Sequence, residues 1–316
     1  MYHWYSGARE SYVWLDDYQP GDRSSLSGCE WSQRGWTLQE LLAPACVIFF
    51  IAEWKVIGHK HYDYKGPCRC QDRQRPGSYM DEWGPDIVAE LASITGVPRS
   101  CLFMRTPIDS ESVATRMSWA SGRSTTREED CAYSLLGLFA INMPLLYGEG
   151  KQAFQRLQEK IIRTSDDSSI FCSRRENGPS SFLLATNPDD FVHCRSRHIM
   201  PGVVDSQEPY SITNRGLKIT TKAHKMVITS QPGHGSPADG TSSAPLKLYR
   251  IDLGCLEPSQ LDYLELKPSP PYMFLVRHHK TRQFVGYSLS SFGMPQVEHS
   301  QWEAIGEKLF YIKMRP

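Results

Sequence analysis

The hydrophobic period of the chain changes near residue 175, and no other feature narrows the fold as far. Before that point apolar residues recur at helical spacing. Thr37 with Glu40 three residues on has the capping-box spacing ahead of Leu41 and Leu42. Asp86 can cap a helix carrying Ile87, Val88, Leu91 and Ile94, with Gly96 near its end. Ser110 can cap one with Val113 and Met117 inward. Thr126 and Glu129 repeat the capping box before Ala132, Leu135, Leu136 and Phe139. Phe154, Leu157 and Ile161 share one face of a helix over 151–163. Strands are expected at 11–15 and 46–51, the latter a continuous apolar run of the buried kind. After the change the period is two. Leu217, Ile219 and Thr221 alternate, then Tyr249, Ile251 and Leu253, then Phe310, Ile312 and Met314. Segments 272–276 and 284–289 flank a charged turn and read as a hairpin, while 231–244 is a Gly/Ser/Pro loop. There is no internal repeat. The fold class expected is α+β, with residues 1–175 as a helical α/β region and 176–316 as a mostly antiparallel β unit.

Composition excludes several functions. Among 316 residues, 35 Lys and Arg balance 35 Asp and Glu, so no basic field gathers nucleic acid. The longest apolar stretch, 45–52, is too short to span a bilayer, and no signal segment opens the chain. A cytoplasmic protein without a membrane span is expected. Nine scattered cysteines contain no C-x-x-C pair, which fits buried thiols in a reducing compartment. Cys68 and Cys70 with His59 and His61 can close a tetrahedral zinc site, but they also fit a polar loop with incidental thiols; His193, Cys194 and His198 are a weaker set. No metal is assigned.

Three blocks then stand out: RGWTLQELLAP at 34–44, RMSWASGRSTTREEDCAYSLLGLF at 116–139, and INMPLLYGEGKQAFQRLQEKII followed by SDDSSIF at 141–171. In order and spacing they resemble the fungal heterokaryon-incompatibility (HET) domain family, and SITNRGLKI at 211–219 resembles the β-rich region that often follows. Segments like Y-A-x-L-S-H-x-W-G and W-I-D-x-x-C-I, with which such domains open, do not occur here, so the resemblance implies a truncated domain. It also implies a TIR-like fold, a role in fungal allorecognition and programmed cell death, and protein partners.

TIR domains that cleave NAD carry an essential glutamate in a motif like W-C-x-x-E-L. Trp36 and Glu40 have that spacing, so the resemblance implies Glu40 as the catalytic carboxylate, with Trp36 and Arg34 toward the substrate. NAD is then a substrate, and no cofactor is implied. A carboxylate can stabilise the oxocarbenium character that builds on the ribose. A capping-box role explains Glu40 equally. The Arg-rich block, with Arg116, Trp119, Arg123, Arg127 and Asp130, fits an internal salt-bridge network or a phosphate site. Tyr147-Gly148-Glu149-Gly150-Lys151 lacks the spacing of a phosphate loop and reads as a turn into the following helix.

Overall fold

The computed structural model describes residues 1–19, 26–61, 84–173, 183–197, 210–228, 246–253, 272–277, 284–287 and 303–314. The chain divides into two compact units. The first holds Met1–Ile161 and Thr186–Ser196; the second holds Ile162–Ala185 and Arg197–Pro316. Helices and strands both contribute, so the protein is α+β.

In the first unit a short helix α1 (Tyr2–Ser6) leads into β1 (Ser11–Trp14). Two further helices, α2 (Glu30–Gln33) and α3 (Thr37–Leu42), carry the chain to β2 (Cys46–Ile51), which pairs parallel to β1. A tight turn then leads to β3 (Lys55–His61), antiparallel to β2, with a bulge between Phe49 and Phe50. The order is β1-β2-β3. As its continuous apolar run predicts, β2 is buried along nearly its whole length. On one side Trp31 of α2 meets Phe49 edge to face at 5.2 Å. On the other, Cys46 and Ile48 pack with Phe50 and Val56.

Helices α4 (Val88–Thr95), α5 (Arg99–Leu102), α6 (Val113–Ser118), α7 (Asp130–Tyr133) and α8 (Gln152–Thr164) follow, and α9 (Cys194–Arg197) returns to this unit. The Asp86 carboxylate takes the Val88 N–H at 2.8 Å, and Gly96 ends α4 in the left-handed region at φ 71°, as expected. Phe154, Leu157 and Ile161 are all buried along α8.

Three caps differ from expectation. The cap of α6 is Ser112, whose hydroxyl accepts the Thr115 N–H; Ser110 sits in a 3₁₀ turn and donates to Pro107 O instead. Glu129 makes no capping box, and neither does Glu40: α3 has Trp36 at its N-cap with no side-chain cap bond. Thr37 Oγ1 is turned backward, donating to Trp31 O and Arg34 O at 2.6 and 2.7 Å. Ser110 is held by a carbonyl three residues back, whereas Glu40 and Glu129 keep the capping spacing but bind partners far away in sequence.

The second unit is built on β4 (Ser211–Thr213), β5 (Gly216–Ile228), β6 (Leu246–Asp252), β7 (Tyr272–Arg277), β8 (Phe284–Tyr287) and β9 (Glu303–Ile312). Successive strands pair antiparallel as far as β8, and the expected hairpin strands pair as β7 and β8 over the described residues. β9 pairs antiparallel with β5 along nine residue pairs and touches β8 in parallel at Phe284 and Ile312. The sheet therefore closes on itself through β5-β6-β7-β8-β9. The alternating residues Leu217, Ile219, Thr221, Ile251, Phe310 and Ile312 are buried. Tyr249, Phe284 and Phe310 meet edge to face at 4.9–6.1 Å.

Candidate functional site

The three motif blocks interlock. Gly35 N–H donates to Ser124 O at 2.8 Å, and Ser124 N–H donates to Gln33 O at 2.7 Å. A Cβ at Gly35 would lie 2.6 Å from Thr125 Cγ2, so any other residue would force Thr125 aside at this approach of the first block to the second. Buried Gln39 donates to Ser134 O, a second tie between the same blocks.

Glu40 lies half-buried on α3, where its carboxylate accepts the Tyr5 hydroxyl at 3.0 Å. Burial, and then the Glu40 charge, push the Tyr5 phenol up to about 12. Trp36 is half-buried beside it in sequence, at the helix start. Arg34 is exposed, 3.8 Å from Glu30 across one turn of chain, a surface contact that contributes little. Its carbonyl accepts Arg123 Nη1 at 2.9 Å. Tyr5 is a partner of Glu40 that nothing in the sequence marked, since 35 residues separate them.

The Arg-rich block is held by carbonyls and ring faces. Arg116 is buried, donates to Leu138 O at 3.2 Å and lies 4.6 Å over the Phe139 ring. Trp119 is fully buried. Arg123 donates to Trp119 O, Arg34 O and Thr37 Oγ1 at 3.3, 2.9 and 3.0 Å. Arg127 covers the Tyr147 ring at 4.6 Å, and the Tyr147 hydroxyl donates to Asp130 at 3.0 Å. Burial, and next the charge of Arg195, bring Arg123 down to about 10. Arg195, from α9, donates to Ser118 O and Ser121 O, both at 3.0 Å. Only the fold brings Arg195 here: 72 residues separate it from Arg123.

The glycine loop of the third block is occupied from within. Gly148 and Gly150, at φ 100° and 55°, aim their N–H groups at the Glu129 carboxylate at 2.6 and 3.0 Å. These bonds hold Glu129 below the usual carboxylate range. Glu149 in the same loop accepts Tyr133 Oη at 2.8 Å and pairs with Arg156. Anion-binding geometry is therefore present, but the protein's own carboxylate fills it.

Among the metal candidates, buried His59 turns Nδ1 to Gly84 O at 3.1 Å, and His193 Nε2 lies 3.3 Å from Cys194 Sγ. Cys68, Cys70 and His198 lie outside the described residues. Among those described, no three ligating side chains form a metal cluster. No described helix is long and apolar enough to cross a membrane.

Comparison with known proteins gives one kind of relative. The vegetative incompatibility protein HET-E-1 of Podospora anserina is 37% identical over 171 residues. The match takes in 51% of this chain but only 11% of that protein's length. No family model matches the sequence. No solved structure matches the fold. Over about half its length, the chain is similar to a fungal vegetative incompatibility protein.

Proposed function

We propose that this chain acts in heterokaryon incompatibility, as a component of fungal non-self recognition that ends in programmed cell death through a protein partner. The reading is carried by the 171-residue likeness to a vegetative incompatibility protein. Inducible expression in a filamentous fungal host should arrest growth. Healthy growth at a confirmed protein level would overturn the proposal.

Within that role Glu40 divides two readings. In one, the region is TIR-like and Glu40 stabilises a ribosyl cation as NAD is cleaved, supported by the Trp36-to-Glu40 spacing and by the parallel β1–β2 pair joined through helices. In the other, Glu40 is a structural acceptor and the chain is a non-enzymatic interaction module. The Tyr5 hydroxyl on Glu40 favours the second, because that carboxylate already has a partner. Purified protein should then release no nicotinamide from NAD, and Glu40→Gln and Tyr5→Phe should lower Tm by similar small amounts. Nicotinamide release lost in Glu40→Gln would restore the catalytic reading.

A further inference from the structure

In the first unit, Arg123 and Arg195 line one cavity of about 410 Å³ with Ser27, Ser93, Ser121 and Gln33. That volume is in the range of small-molecule sites. No aspartate or glutamate lines it. Asp189 acts on Arg195 through its charge, but its carboxylate is bound to the Gly122 N–H at 2.7 Å. Among the described residues neither arginine has an ion-pair partner.

The carbonyl contacts use only part of each guanidinium. Arg123 employs Nε and Nη1, which leaves Nη2 without a protein partner among the described residues. Arg195 employs Nη2 alone, which leaves Nη1 without a protein partner among the described residues; its Nε is buried against Gly96 and out of a ligand's reach. Anchoring carbonyls would explain one arginine. Two like charges facing one polar cavity with donors to spare are unfavourable unless an anion joins them. The planar fork of a guanidinium matches phosphate oxygens two at a time. A phosphate monoester, at about −1.5 to −2 near pH 7, balances two guanidiniums where one carboxylate would not. The serine hydroxyls and the Gln33 amide suit a polar body beyond the phosphate.

We propose that this cavity binds a phosphorylated small molecule, its phosphate held by the guanidiniums of Arg123 and Arg195. The site is distinct from Glu40 and stands whether or not that residue does chemistry.

The test is thermal denaturation of the full chain in inorganic phosphate, in glucose 6-phosphate, and in sodium chloride at matched ionic strength. Both phosphates should raise Tm above chloride, with glucose 6-phosphate half-saturating at the lower concentration. Arg195→Gln should abolish the rise, but it also frees two carbonyls and can loosen the fold. Ser93→Asp avoids that difficulty. Ser93 is exposed on α4, and a carboxylate there would compete for the guanidiniums, weakening phosphate at least tenfold while leaving the melt without ligand unchanged or higher. No rise above matched chloride, or a rise undiminished in Ser93→Asp, would overturn the site. Equal half-saturation by the two phosphates would overturn the small-molecule assignment in favour of free phosphate.

Discussion

Single residues in this protein are set by partners far away in sequence. Lys60 is the clearest instance. It lies on β3, fully buried, and donates to Leu41 O and Pro44 O at 2.6 and 2.9 Å, closing the C-terminal end of α3. Burial brings its ammonium down to about 7 from 10.5. Between those values the unfolded chain holds a proton that the folded chain has released. Stability therefore rises with pH across that window, by at most about 1.4 kcal/mol per unit. The thiols of buried Cys29, Cys46 and Cys101 and half-buried Cys131, pushed up to about 11, 12, 11 and 12, act in the opposite sense. They do so only above about 9, where unfolded thiols ionise. Urea midpoints should thus climb from pH 7 to 9 in the native protein, and the climb should vanish in Lys60→Met. An unchanged slope would mean that Lys60 does not titrate there. None of this was legible in the sequence, because Lys60 stands between His59 and His61 in a polar strand end, with nothing to say that its ammonium turns inward. Glu40 and Glu129 misled for the same reason. Capping boxes are local, and Tyr5, Gly148 and Gly150 are not.

Elements were far easier to read than their ends. The strand at Cys46–Ile51 agrees with its apolar run, and the helix over Phe154, Leu157 and Ile161 agrees with its period, because burial enforces both patterns along many residues. The start of α6 shows what is harder. The expected cap was Ser110, but the helix starts at Ser112, whose backbone is extended at φ −60° and ψ 157°. Ser112→Ala removes the acceptor for Thr115 N–H, together with a 2.9 Å contact to Thr115 Oγ1, in a buried setting. It should cost about 1–2 kcal/mol in chemical denaturation. Ser110→Ala at an exposed 3₁₀ turn should stay within about 0.5 kcal/mol. Equal effects would show that the cap contributes little. Helix α7 is shorter than its pattern suggested, ending at Tyr133 although Leu135 and Phe139 keep the period and are buried. Turns carry those side chains inward as well as a helix would.

At the scale of the molecule, the change of period near residue 175 marks where strands take over, but not how the units are composed. Thr186–Ser196 belongs with the first unit although it follows the change, and Arg195 reaches the cavity through it. Alternation gave the strands of the second unit and their buried faces. It could not give the β5–β9 pairing, which joins residues about 90 apart. That pairing makes the core, so Phe310, fully buried against Tyr249 and Phe284, should be among its costliest positions. Phe310→Ala should cost about 3–5 kcal/mol, read as a lowered urea midpoint. A loss below about 1 kcal/mol would mean that the aromatic triad does not form the core. Ring closure has a further consequence. A sheet whose strands return on themselves offers no rail along which a foreign strand can add, the usual route to swapped dimers and fibrils. Of the described strands of the second unit, only three-residue β4 stands outside the ring. Growth by strand addition to the second unit is thereby limited to the short outer edge of β4 or to parting the single rung between Phe284 and Ile312.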